Sequence, residues 1–239
     1  MVMKYRLLFT CCCLLLALSC FAQKQYALSS PDGKLKVVLT ADNTLSWSIT
    51  HEETVVLKPS TIALNGIDAK GKKKVGIWED KVKVTKVARK SVNTSFATPF
   101  YKKAEVKDVY NQLSLTLRGG FMVEVRAYDA GAAYRIVSRA NAPYIVMNET
   151  VEFNFAADYN AFVPYVNDNR SGERYCYSFE SYYDEAPLSK MFPDSLAITP
   201  LLVDLGNGKK ATLMEAGLEN YPGMFLKKGK DNALVSEFA

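Results

Sequence analysis

The chain of 239 residues is 49% hydrophobic and 12% aromatic, enough to bury a core for one large domain or two small ones, which excludes wholesale disorder. Its net charge of +5, which falls to +3 once an export signal at residues 1–22 is set aside, is too mild to argue for a nucleic-acid partner. A single histidine, His51, leaves histidine-based triads and zinc centres almost nothing to draw on, and neither a P-loop nor a dinucleotide fingerprint is present.

Residues 1–22 read as an export signal. Lys4 and Arg6 give a positive start, Leu7–Leu18 is an apolar run too short for a membrane span, and Cys20-Phe21-Ala22 places small residues at the −3 and −1 positions of a cleavage site. Lipidation at Cys20 is the alternative, although Ala17 stands three residues before it where leucine is preferred. Cleavage after Ala22 lowers the net charge to +3 and removes four of the five cysteines, leaving Cys176. The mature protein is then expected to be periplasmic or secreted, with no internal disulfide and no further segment apolar enough to cross a membrane.

From Gln25 onward short alternating runs dominate. Leu35–Leu39, Leu45–Ile49 and Thr54–Leu57 are divided by Pro31-Asp32-Gly33, Asp42-Asn43 and His51-Glu52-Glu53, so each reads as a strand followed by a turn. Ile62–Leu64, Val82–Val87 and Leu113–Leu117 continue the series. Phe121–Tyr128 and Ala132–Val137 flank the tight turn Asp129-Ala130-Gly131, and Val151–Phe155 and Phe162–Val166 follow. No window of a dozen residues holds a 3.6-residue apolar period, and no linker or internal repeat divides the chain. The expectation is all-β: one large antiparallel sandwich or barrel over residues 23–239. Lys70–Lys74 reads as a solvated loop tip, with anion binding as the sharper alternative.

Pro164–Pro187 has poor strand character over some two dozen residues, and loops of that length inside a compact domain carry function or are disordered. Tyr165, Tyr175, Tyr177, Phe179, Tyr182 and Tyr183 alternate there with Asp168, Glu173, Glu180, Asp184 and Glu185. Aromatic faces suit the C–H face of a sugar, carboxylates accept from its hydroxyls, and carboxylates are also the hard ligands calcium takes. The plain alternative is an aromatic loop packed over one edge of the sandwich. Cys176 reads as a packed thiol. Paired carboxylates can hydrolyse a glycoside, yet no spacing identifies such a pair. Asn93-Thr94-Ser95, Asn148-Glu149-Thr150 and Asn169-Arg170-Ser171 match the glycosylation triplet, a pattern that chance often produces.

Near the C-terminal end, Leu201–Leu205 and Ala211–Ala216 are joined by Gly206-Asn207-Gly208, a hairpin signature because glycine and asparagine accept positive φ. Period-two alternation places Ala211, Leu213 and Glu215 on one face, so a carboxylate closes an apolar stripe. It needs a cation, hydrogen-bond donors or a polar ligand beside it. Tyr221-Pro222-Gly223 then turns the chain into the apolar run Met224–Leu226.

Ser30-Pro31-Asp32-Gly33-Lys34-Leu35, Leu57-Lys58-Pro59-Ser60, Tyr110-Asn111-Gln112-Leu113-Ser114-Leu115, Arg126–Arg135, Thr199-Pro200-Leu201 and Glu215–Met224 form an ordered set over residues 26–226. That set resembles the N-terminal domain of glycoside hydrolase family 97, with Ala130 departing from the family's Asp-Asp-Gly turn. The resemblance implies a galactose-mutarotase-like β-super-sandwich preceding a C-terminal (β/α)8 barrel. It implies a calcium-dependent α-glucosidase or α-galactosidase acting on α-linked oligosaccharide, with the catalytic acid and base on the barrel. By position in the family pattern, Glu180 is the expected calcium ligand, with Glu173 the runner-up. Glu215, Tyr182, Tyr183 and Tyr221 are expected to face carbohydrate or the cleft. The chain alone, ending at Ala239, is expected to hydrolyse no glycoside. A free-standing carbohydrate-binding module and a purely structural sandwich are the competing readings.

Overall fold

The computed structural model describes residues 24–78, 81–166, 175, 179 and 181–238. Sixteen β-strands and one 3-10 turn make up its regular structure, and no α-helix occurs among the described residues. In chain order the strands are β1 (Lys24–Ser29), β2 (Leu35–Ala41), β3 (Leu45–His51), β4 (Thr54–Asp68), β5 (Lys74–Ile77), β6 (Val84–Ala97), β7 (Glu105–Leu117) and β8 (Phe121–Tyr128). Then follow β9 (Gly131–Ser138), β10 (Tyr144–Asn154), β11 (Asn160–Val163), β12 (Asp184–Pro187), β13 (Leu201–Gly206), β14 (Lys209–Leu213), β15 (Met224–Lys228) and β16 (Ala233–Phe238).

The strands pair antiparallel in three sheets. The largest runs β1-β2-β3-β4-β10-β16-β15, with β5 added to β4; the others run β12-β11-β13-β14 and β6-β7-β8-β9. Ala197 links the first two: it exchanges backbone hydrogen bonds with Leu226 of β15 at 2.7 and 2.8 Å and bridges to Tyr165, two residues past β11. Alternation explains the layering. In β8, Phe121, Val123, Val125 and Ala127 are fully buried, whereas Glu124, Arg126 and Tyr128 point the other way and stay partly exposed. One apolar cluster joins Leu39, Trp47 and Ile62 of the large sheet to Leu115 and Val123 across the layer and to Val203 and Leu213 at the end. At roughly 1.5–3 kcal/mol for each fully buried large side chain, this shared core is the main stabilising term.

Turn chemistry sets the registers. Asn207 (φ +52°) and Gly208 (φ +76°) close the β13–β14 hairpin in the left-handed region, as the sequence predicts. Asp129 and Ala130 turn β8 into β9, and Asp129 Oδ1 accepts the Asp32 N–H at 3.0 Å, so the acidic residue retained in that turn ties it to the β1–β2 loop. Two features depart from the sequence reading. Thr54–Leu57 and Ile62–Leu64 belong to one 15-residue strand, β4, because the register shift between Trp47 and Ile49 lets Pro59 sit in an interruption of the β3 pairing. The β6–β7 hairpin is also far longer than its apolar residues suggest, since β6 from Lys90 onward has little to bury and is almost wholly exposed.

Candidate functional site

The residues with the least ordinary surroundings meet where β9, β10 and the segment after β14 converge. β14 ends at Leu213, so Glu215 is not carried by that strand as the alternation predicts. It sits in the following loop, which Gly217 (φ +73°) and Asn220 (φ +55°) fold back in the left-handed region. The fold-back places the Glu215 carboxylate under the start of β15, where the Met224 N–H donates to both of its oxygens at 3.0 Å. The expected need for a hydrogen-bond donor is therefore met by backbone. Burial pushes the Glu215 carboxyl above the usual range, and the Met224 N–H offsets part of that rise.

Tyr221, in the same loop, leans its ring edge-on against Phe238 of β16, with centroids 5.8 Å apart, and donates its hydroxyl hydrogen to Glu149 Oε2. Glu149 belongs to β10. Its parity is that of Val151 and Phe153, both buried, so the strand aims a carboxylate inward at its open end. The Glu149 carbonyl accepts from Ser236 Oγ at 3.4 Å, which fixes this part of β10 against β16. Burial raises the Glu149 carboxyl, the Tyr221 hydroxyl opposes the rise, and the neighbouring Glu215 charge adds to it. The Tyr221 hydroxyl is raised in turn, first by burial and then by Glu149. Sequence reasoning passed over Glu149 as part of a glycosylation triplet. Its place in the series Glu149, Val151, Phe153, Phe155 was the signal that marked it.

Below the pair lies an aromatic layer. Tyr134 of β9 meets Trp47 of β3 edge-on at 4.9 Å, and Trp47 meets Phe153 at 6.4 Å. Among the described residues the Tyr134 hydroxyl is buried without a hydrogen-bond partner, as is Trp47 Nε1, and the field of Glu149 and Tyr221 reaches Tyr134. The segments that carry the carboxylates also expose apolar side chains: Ile145, Val146 and Met147 on β10, and Met214 and Leu218 beside Glu215, with Met147 exposed to 61% and Met214 to 65%. Neither Glu149 nor Glu215 forms an ion pair among the described residues. Elsewhere carboxylates find cations, as Glu52 does with Lys209 at 2.9 Å and Glu237 with Lys227 at 2.8 Å.

Glu180 and Glu173 lie outside the described residues. Tyr182 is 94% exposed and Tyr183 stacks edge-on with Phe179 at 5.5 Å beside β12, with no hydrogen bond or ring contact to the Glu149 corner among the described residues. The structure thus brings Glu215 and Tyr221 to one corner, and neither Tyr182 nor Tyr183 contacts it among the described residues. Among the described residues no three acidic, histidine or cysteine side chains gather to hold a metal ion. Glu149 and Glu215 offer two carboxylates, short of the roughly six to eight oxygens calcium takes.

A sequence-family model described as the N-terminal region of glycosyl-hydrolase 97 matches residues 28–239. The chain belongs to this family. A retaining α-galactosidase of Bacteroides thetaiotaomicron is 37% identical over 227 residues, 92% of this chain and 33% of that protein. Among solved structures, a glycoside hydrolase family 97 enzyme of Pseudoalteromonas sp. strain K8, in complex with acarbose, superposes with a TM-score of 0.74 at 23% identity, over 89% of this chain and 32% of that one. A β-arabinopyranosidase superposes with a TM-score of 0.76 at 20% identity, over 88% of this chain and 35% of that one. The structural matches bear out the antiparallel all-β architecture. The family 97 N-terminal chain spans about a third of the length of these relatives.

Proposed function

We propose that this chain is the non-catalytic N-terminal domain of an exported glycoside hydrolase of the α-glucosidase or α-galactosidase type. In this reading it packs on a C-terminal (β/α)8 barrel that binds α-linked oligosaccharide and carries the catalytic acid and base. The observation that carries it is the Glu149–Tyr221–Glu215 corner: two half-buried carboxylates without cations among the described residues, on segments that also expose Ile145, Val146, Met147, Met214 and Leu218. A monomer rarely leaves such segments in water, and a covering surface that supplies donors would satisfy both acids at once. The retaining α-galactosidase relative, three times as long as the matched segment, supports a partner within the same polypeptide.

Glu180, with Glu173 as runner-up, contributes one oxygen ligand to a calcium site that the barrel completes. One carboxylate from this side is too few for tight binding. Calcium titration of the purified chain is therefore expected to give weak or no binding, and low-micromolar affinity lost in Glu180→Gln would overturn the shared-site reading. The chain alone is expected not to cleave 4-nitrophenyl α-galactoside or α-glucoside. Cleavage abolished by Glu180→Gln would sink the non-catalytic assignment. Calorimetry with maltooligosaccharides and melibiose separates this role from that of a free-standing carbohydrate-binding module, which requires binding without a barrel.

A further inference from the structure

The opposite flank of the molecule carries the reverse imbalance. Residues 81–107 hold eight lysines and arginines against one glutamate, an excess larger than the net +5 of the whole chain. Most of these residues are on β6, the edge strand of its sheet, or on the β6–β7 turn. Where β6 passes β1, an open groove of about 420 Å³ is lined by Ser29, Arg89, Lys90, Ser91, Asn111 and Gln112. That volume falls in the range of small-ligand sites, roughly 300–1,000 Å³.

The groove is built by a hydrogen-bonded frame. Arg89 donates through Nη1 to the Ala27 carbonyl at 2.6 Å, and Asn111 donates through Nδ2 to the Ser29 carbonyl at 2.9 Å. Ser91 donates to Asn111 Oδ1 at 2.6 Å. Gln112 is buried and clamped, accepting from Arg126 Nε at 3.1 Å and donating to Ser114 and Glu124. Lys90 and Arg126 lie over the Tyr110 ring, at 5.9 and 4.3 Å from its centroid. Neither Arg89 nor Lys90 meets a carboxylate among the described residues, and one carbonyl leaves most of the Arg89 guanidinium donors free.

We propose that this groove binds an acidic saccharide, with Arg89 and Lys90 taking its carboxylate or sulfate group and Ser91 and Asn111 taking neighbouring hydroxyls. A forked guanidinium beside an ammonium suits a flat or tetrahedral oxyanion, and charge-assisted hydrogen bonds of this kind are the strong ones. Nucleic acid fits less well. Single strands want exposed stacking platforms, and the aromatic face at the groove itself, that of Tyr110, is buried beneath the two cations; the exposed Phe96, Phe100 and Tyr101 lie further along the β6–β7 arm and do not line the groove. The site lies on different strands from the Glu149 corner and stands or falls independently of the barrel-packing role.

Affinity electrophoresis of the purified chain tests it, through gels containing polygalacturonate, chondroitin sulfate, neutral pullulan or single-stranded DNA, at about 0.15 M salt where bare surface charge is screened within about 8 Å. Retardation is expected in one or both acidic glycans and not in pullulan, and the two acidic gels separate a carboxylate from a sulfate ligand. Lys90→Glu, which disturbs no backbone contact, is expected to weaken retention about tenfold or more, the scale of one charge-assisted hydrogen bond. Arg89→Lys is expected to retain part of it. Lys72→Glu, on the remote β4–β5 loop, is expected to leave it unchanged. Absence of retardation in both acidic gels, equal loss in Lys72→Glu, or stronger retention by DNA than by either glycan would overturn the proposal.

Discussion

Two regions of this domain leave charge unmatched, and they do so in opposite ways. At the Glu149–Tyr221–Glu215 corner the acids are half-buried, held by a backbone N–H and a phenol, and raised by desolvation. Along β6 the bases stand in water on an edge strand. Burial makes the first arrangement costly in the free domain, because desolvated carboxylates without cations weaken folding at neutral pH. Exposure makes the second nearly free of cost and serves a further purpose: lysines on an edge strand discourage pairing with another chain. A costly imbalance therefore marks a surface that some other group completes, and an inexpensive one marks a surface open to a soluble ligand.

The comparison can be tested by substitution, starting with the support beneath the acidic corner. Trp47→Ala removes the ring between Tyr134 and Phe153 and is expected to cost about 3–5 kcal/mol in urea unfolding. A smaller loss would show that the corner does not rest on the aromatic layer. Tyr221→Phe deletes the hydroxyl that donates to Glu149 and leaves that carboxylate without the donor. About 1–3 kcal/mol should be lost at neutral pH, and less in acid.

Glu149→Gln should act in the other direction. The folded-state carboxyl of Glu149 lies above its unfolded value, so its contribution is most favourable in acid, below the unfolded value, and is lost as pH rises through the folded value. The groups facing it are Tyr221, Glu215 and Tyr134. The amide keeps an acceptor for Tyr221 and removes the ionisation. The variant is expected to be more stable than the parent at neutral pH, by up to about 1 kcal/mol, with a flatter stability profile from acid to neutral. A lower melting temperature at pH 7 would show that Glu149 gains more from its charge than burial removes. The smallest effect is expected at an exposed matched pair. Lys210→Ala breaks the 2.5 Å contact with Asp204 and should change stability by less than about 0.5 kcal/mol.

The two regions also differ in how far they can be read from residues. The resemblance located the corner through Glu215–Met224, and the turn residues Asn207 and Gly208 announced the hairpin before it. What alternation got wrong was the support of Glu215, since β14 stops at Leu213 and the loop folds back to Met224. The β6–β7 arm was missed over most of its length. Asn93, Thr94 and Ser95 show no apolar alternation because neither face of that stretch is buried, so its pairing rests on backbone hydrogen bonds to β7 that leave no apolar trace.

By itself the sequence determined the family, the antiparallel all-β class and the tight turns, because alternation and positive-φ residues act over a few neighbouring positions. Only the tertiary structure decided that Glu149, 66 positions before Glu215, shares its corner, and that Arg89 and Lys90 of β6 line a groove with Ser29 of β1. Desolvation and charge act through space, and long-range strand pairing sets which side chains feel each other.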